Sequence, residues 1–202
     1  MGENPNNCTI GYYDANAERY FYLTSQLEMT VPYEHFLAKL KIPSRILDAG
    51  CGSGRDTKYF LGEGYDVVAF DGSHALAALA SRHAGIPCRT IRFQDVAFKD
   101  EFDGVWACAS LLHIPRIEMP NVLSRLVRAL KVGGIMYVSL IEGVGEQARS
   151  DGRLFSFYTV GSFREIIREL PHTLEIEQWV SNSPRPQDKP APWLNFLLKR
   201  MQ

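Results

Sequence analysis

Ile46-Leu47-Asp48-Ala49-Gly50-Cys51-Gly52-Ser53-Gly54-Arg55-Asp56 is the stretch that decides the fold. A short apolar run ends in an acid, three glycines alternate with other residues, and helix formers follow. That order reads as a strand, a tight turn and a helix start. Glycine lets a ligand approach the backbone where no Cβ stands in the way. The helix behind presents free N–H groups at its positive end. The third glycine comes two residues after the second, whereas the dinucleotide fingerprint places it three after. Arg55 occupies that third-glycine position, which disfavours a nicotinamide-linked oxidoreductase. A glycine turn that binds nothing is the plain alternative at this point.

Working outward, residues 64–72, 88–95, 102–110 and 133–141 are further short apolar runs bounded by turn residues. They do not strictly alternate, which suits strands buried on both faces of a parallel sheet. Helical patterns separate them. One covers residues 55–61, and a second begins after Ser73, a good N-cap. A third runs from Pro120 with Val122, Leu123, Leu126, Val127 and Leu130 on one face, ended by Gly133-Gly134. The link 96–101 has room for a turn only. Residues 12–28 read as one helix or two short ones, and Pro32 opens another with Phe36, Leu37 and Leu40 as its stripe. Beyond residue 141 the pattern gives a helix over 159–170, a strand over 173–180, a proline-rich connection over 183–192 and a last strand over 193–199. Alternating strands and helices imply right-handed crossovers, hence a doubly wound α/β sheet with helices on both faces.

The chain has 202 residues, 46% apolar and 22% charged, the profile of one globular domain. Its parts read as an N-terminal helical segment (1–42), a first sheet half (43–142) and a second half (143–202). Lys+Arg is 22 and Asp+Glu 23, a net charge of −1. That argues against a protein held to nucleic acid mainly by phosphate neutralisation. The first residues lack the basic and apolar regions of a secretory signal, and no window has 18 consecutive apolar residues, so no membrane span is expected. Cys8, Cys51, Cys88 and Cys108 are scattered, and the five histidines form no ligand cluster. Reduced thiols in a cytoplasm and no metal are the expectations.

The 46–56 segment resembles the first motif of class I S-adenosylmethionine (SAM)-dependent methyltransferases: a hydrophobic strand, an acid, then x-Gly-x-Gly-x-Gly. Asp71 closes the second strand where that family carries an acid on the ribose hydroxyls. Ala109-Ser110-Leu111-Leu112-His113 follows the fourth strand as in the family. Lys131-Val132-Gly133-Gly134 resembles its helix-ending turn, with Val132 in place of the usual proline. A Tyr-Tyr-Asp-Ala-Asn-Ala start and the Gly-Ser-Gly-Arg-Asp turn are similar to small bacterial, tellurite-resistance-like methyltransferases. The resemblance implies a Rossmann-like seven-stranded sheet of order 3-2-1-4-5-7-6, its last strand antiparallel, under an N-terminal helical lid.

It also implies roles. Gly50, Cys51, Gly52 and Gly54 line the cofactor, or serve turn geometry alone. Asp48 reaches the methionine amino group, or only braces the loop. Arg55 in a helix's first turn opposes the dipole; it pairs with the methionine carboxylate or with Asp56. Asp71 takes the ribose, since a carboxylate can accept two hydroxyls, and Gly72 lets the backbone come close. Gln94, Asp95 and Val96 frame the adenine, with a turn cap as the other reading of Asp95. Ala109 and Ser110 lie under the cofactor. His113 is a candidate general base or a structural histidine. Tyr13 and Tyr20 belong to the lid or to the core and surface. Arg153 and Tyr158 fall on the acceptor side. The expected activity is metal-independent methyl transfer from SAM, leaving S-adenosylhomocysteine (SAH), to a small-molecule acceptor, by a monomer or dimer. An RNA methyltransferase and a non-catalytic SAM-binding protein are the other readings.

Overall fold

The computed structural model describes residues 5–182 and 192–202. The proline-rich connection, but for Pro192, falls outside the described residues. The first strand, β1 (Arg45–Ala49), is followed by β2 (Asp66–Asp71), β3 (Cys88–Thr90), β4 (Phe102–Ala107) and β5 (Leu130–Ile141). A small antiparallel ribbon, β6 (Glu146–Ala148) with β7 (Leu154–Ser156), precedes β8 (Thr173–Ser181) and β9 (Trp193–Arg200). The main sheet runs β3-β2-β1-β4-β5-β9-β8. β9 lies antiparallel between β5 and β8, and the pairs from β3 to β5 are parallel. Setting the ribbon aside, this is the expected seven-stranded order.

Alternation along each strand sends neighbours to opposite faces. Leu47, Val105, Ala107, Met136 and Val138 enter one core with α6 (Met119–Ala129) and α7 (Val160–Glu169). Ile46, Trp106, Ile135 and Tyr137 enter the other, with Phe36 of α3 (Thr30–Leu37) and Phe60 of α4 (Arg55–Gly62). Burial on both faces is why these strands read as continuous apolar runs.

Several boundaries differ from expectation. The N-terminal segment forms two helices, but they begin earlier: α1 (Pro5–Ala15) and α2 (Ala17–Thr24), broken at Asn16. Pro32 is the third residue of α3 rather than its first. β3 stops at Thr90, and Phe93–Asp95 form a single 3-10 turn. Gly133-Gly134 do not end α6: it stops at Ala129, and Leu130 already pairs with Phe102. The register then shifts so that Gly104 meets Ile135. Residues 131–134 are thus the extra residues of an irregularity inside β5. The helix α5 (His74–Ala84) begins as expected, with Ser73 Oγ accepting from Leu76 N–H at 3.1 Å.

Candidate active site

The strands β1, β2 and β4 point their carboxyl ends at one corner, where open α/β sheets hold ligands. There the glycine turn is built by its own backbone. Gly50 and Cys51 N–H both donate to the Phe70 carbonyl at 2.9 Å. Gly50 and Gly54 have φ of +79° and +75°, a region costly to residues with a Cβ. Space is equally restrictive: a Cβ on Gly50 would lie 2.5 Å from Ser110 Cβ, and one on Gly54 2.9 Å from Ala80 Cα. Gly54 therefore serves the close packing of α4 on α5, while Gly50 and Gly52 border open space.

Two cavities meet at this turn. The narrow one, about 90 Å³, is lined on its polar side by Asp71, Ser73, Gln94, Ser110 and His113. The larger, about 430 Å³, runs from the turn towards Cys108, Tyr137, Ser139 and Asn195. Tyr20, Gly50, Gly52 and Ala109 border both. The Tyr20 ring lies over Gly52, and Ile10 of α1 lies over Gly72, so α1 and α2 cover the corner.

Asp71 sits where β2 ends. Its Oδ2 accepts Gly52 N–H at 2.9 Å and its Oδ1 accepts Ser73 N–H at 2.8 Å. Burial pushes its pKa up to about 6, against the pull of those N–H groups. A carboxylate has about four lone-pair sites, so Asp71 keeps capacity for a further donor. Asp48 is buried and accepts from Thr57 Oγ1 at 2.6 Å, and burial raises its pKa well above the usual carboxylate range. In this arrangement it braces the turn against α4.

Arg55 pairs with Asp56 through Nε–Oδ1 at 2.6 Å and Nη2–Oδ2 at 2.9 Å. Asp56 also accepts Tyr33 OH at 2.5 Å and Trp106 Nε1–H at 2.8 Å. Burial alone would raise the Asp56 pKa; Arg55 and these donors hold it below the ordinary value. The sequence reading treated Asp56 only as a partner for Arg55, yet it ties α3, α4 and β4 together. Arg55 still borders the larger cavity.

His113 Nδ1 lies 2.7 Å from the Leu154 carbonyl and Nε2 2.7 Å from Tyr13 OH. A carbonyl only accepts, so Nδ1 carries the proton and Nε2 takes the phenol's. Burial lowers the His113 pKa to about 4, so the ring is neutral near pH 7. Tyr13 stacks edge-on to Tyr20 at 5.1 Å between ring centroids. Arg153 pairs with Asp151 at 2.7 Å and stands over Tyr12.

Other expected residues lie apart. Asp95 is largely exposed and pairs with Arg92 at 2.7 Å; Val96 is in the core. Neither borders the two cavities, whereas Gln94 does, donating to Glu118 Oε2 at 2.6 Å. Tyr158 is fully buried against Phe163 and under Arg116, away from both cavities. The sequence reading missed the polar floor of the larger cavity: Tyr137 OH donates to Asn195 Oδ1 at 2.7 Å, and Ser139 Oγ accepts Ala109 N–H at 2.8 Å. An asparagine inside Trp-Leu-Asn-Phe-Leu-Leu was its signal, since a buried amide needs partners. Among the described residues, no three His, Cys, Asp or Glu gather as a metal site, and no helix is long and apolar enough to cross a membrane.

Residues 46–134 match a family model described as a methyltransferase domain. The probable S-adenosyl-L-methionine-dependent methyltransferase TehB of Haemophilus influenzae is 25% identical over 134 residues, 63% of this chain and 46% of that protein. The chain thus spans about half the length of the curated relatives it matches. Among solved structures, Burkholderia thailandensis 1,6-didemethyltoxoflavin-N1-methyltransferase, bound to 1,6-didemethyltoxoflavin and S-adenosylhomocysteine, superposes with a TM-score of 0.80 at 23% identity, covering 100% of this chain and 92% of that one. The magnesium protoporphyrin IX methyltransferase of Synechocystis, with bound SAM, gives 0.74 at 15% identity and 98% of both chains. Residues 46–134 are thus similar to a methyltransferase domain, and the main sheet has the class I SAM-dependent methyltransferase fold.

Proposed function

We propose that this protein is a cytoplasmic, metal-independent SAM-dependent methyltransferase acting on a small-molecule acceptor. One observation carries the reading: the Asp71 carboxylate lines the narrow cavity beside the glycine cradle, where the two cavities meet. The cradle fits the group, because Gly50 and Gly52 border both cavities with no side chain between the backbone and the open space. The family match and the SAM- or SAH-bound neighbours support the same cofactor.

In this reading Asp71 accepts the ribose hydroxyls and Gly72 admits the adenosine beside it. Gln94, on the wall of the narrow cavity, offers an amide to the adenine edge. Arg55, fixed through Nε and Nη2, turns Nη1 to the methionine carboxylate. Asp48 holds the turn in register through Thr57. SAM supplies an electrophilic methyl on its sulfonium, and in-line displacement chiefly needs alignment and a dry pocket. Residues 1–42 act as the lid; residues 43–142 hold the cofactor and 143–202 complete the acceptor side. Tyr13, its OH held on His113 at the wall of the narrow cavity, closes the lid over the nucleoside. The larger cavity, with Tyr137, Ser139 and Asn195 beneath it, is of the roughly 300–1,000 Å³ class that takes small molecules. The 1,6-didemethyltoxoflavin bound in the Burkholderia neighbour supports an acceptor of that size.

The test is a thermal-shift titration with SAH on the wild type and Asp71→Ala. Ligand at a hundred times its Kd adds about 2.7 kcal/mol, a rise of about 5–11 °C in Tm at about 2–4 °C per kcal/mol for this size. A rise in the wild type that shrinks in the variant supports the reading. No rise in either withdraws it.

A further inference from the structure

Asp14 is in the wrong place for its own helix. It occupies the last turn of α1, where the carbonyl end of the dipole repels a carboxylate. Local stability therefore does not explain it. Its contacts do. Asp14 Oδ1 accepts Ser73 Oγ–H at 2.6 Å and Ala75 N–H at 3.0 Å. It thus adds a second carboxylate-type cap to the positive end of α5, beside Ser73's own cap on Leu76.

The place matters. Ser73 N–H is the donor held by Asp71 Oδ1, so Asp14, Ser73 and Asp71 form one chain of hydrogen bonds from α1 to the end of β2. Ile10, one turn earlier on α1, packs on Gly72 at 3.3 Å from where a Cβ would stand. The cavity that remains under α1 is about 90 Å³, well below the roughly 300 Å³ at which small-molecule sites begin. A nucleoside beside Asp71 needs more room than this; lifting α1 supplies it, and lifting α1 breaks the Asp14 contacts. Thr9, whose Oγ1 accepts Leu154 N–H at 3.0 Å, and Tyr13 on His113 hold the same helix to the opposite side of the corner.

We propose that Asp14 is a positioning residue that latches α1 onto the N-terminus of α5 and thereby sets how long a nucleoside ligand stays beside Asp71. The identity of the ligand rests on the methyltransferase reading; the latch itself does not. Opening α1 costs the two Asp14 hydrogen bonds, and Asp14→Ala removes that cost. Asp14→Asn keeps an acceptor oxygen and loses the charge.

Two measurements test it. In stopped-flow dissociation of SAH, Asp14→Ala releases ligand about tenfold faster than wild type, the scale of one lost cap, and Asp14→Asn recovers part of that. Without ligand, tryptic cleavage after the exposed Arg19 of α2 quickens by about the same factor in Asp14→Ala, because opening of this segment precedes cutting. Both run well below the Tm of each variant. Unchanged SAH release together with unchanged cleavage overturns the latch. Faster cleavage with unchanged release overturns its link to the ligand. If wild type binds no SAH, the methyltransferase reading fails, and cleavage alone decides whether the latch exists. If Asp14→Asn is as fast as Asp14→Ala in both, the acceptor role is overturned.

Discussion

The glycine turn and the helices that cover it are held in different ways. The turn is fixed by its own backbone: positive φ at Gly50 and Gly54, and two N–H groups on the Phe70 carbonyl. Beneath it, Asp56 gathers Arg55, Tyr33 and Trp106 in the core. The cover, α1 and α2, is held by side chains whose partners lie far along the chain: Thr9 with Leu154, Tyr13 with His113, Asp14 with Ser73. The difference separates a platform that must not move from a cover that can be released one contact at a time.

The largest expected effect breaks the platform. Asp56→Ala leaves Arg55 buried without its counter-ion and costs about 3–5 kcal/mol of stability in urea unfolding. A loss under about 1 kcal/mol would mean that the platform does not depend on this centre. Next comes the cover. His113 has a folded pKa of about 4, below its ordinary 6.5, so the unfolded chain takes the proton first. Its contribution is present above pH 6.5 and is lost as pH falls towards 4, about 3 kcal/mol in all. His113→Phe should flatten that acid limb in unfolding curves taken from pH 7 to 4; an unchanged limb would show that this ring is not kept neutral.

Asp71 has the opposite sign. Its folded pKa, about 6, is above the ordinary 3.8, so its contribution to stability is lost as pH rises from 3.8 through 6. Ligand binding runs the other way, since the ribose hydroxyls need the carboxylate. SAH affinity should fall about tenfold between pH 7 and 5 in titration calorimetry, and Asp71→Asn should remove that slope. A flat wild-type profile would take the ribose from Asp71. The smallest effect is expected at Asp95, which faces solvent with Arg92. Asp95→Ala should leave Tm within about one degree and SAH affinity unaltered; a weakened affinity would bring that residue back to the adenine.

What could be read from the sequence follows the same division. Gly50-Cys51-Gly52-Ser53-Gly54 declared itself because the conformation needed there is one that only glycine takes freely. The doubly wound α/β sheet was legible from the alternation of apolar runs with helical patterns, and its strand order from the resemblance alone. α1 was not, because Pro-Asn-Asn-Cys-Thr-Ile-Gly-Tyr-Tyr-Asp-Ala has no apolar stripe; long-range side-chain contacts define it. β3 was read too long because residues 88–95 form one short run bounded by turn residues, although the chain turns at Phe93. Gly133-Gly134 read as a helix end because glycine marks a turn of the chain without saying which element turns. Tyr158 read as a pocket residue from its place after β5, but Phe163 and Arg116 enclose it.

β9 lies between β5 and β8, and β8 has no other neighbour in the main sheet. During synthesis β8 therefore emerges before the strand that will hold it. Until residues 193–200 arrive, the apolar side of β5 that faces β9 also lacks its partner. The nascent chain then offers unpaired edges on both β5 and β8, an opening for a chaperone or for another copy. Completion waits on a pairing between residues remote in sequence, such as Tyr137 with Leu197, the kind of contact that slows folding.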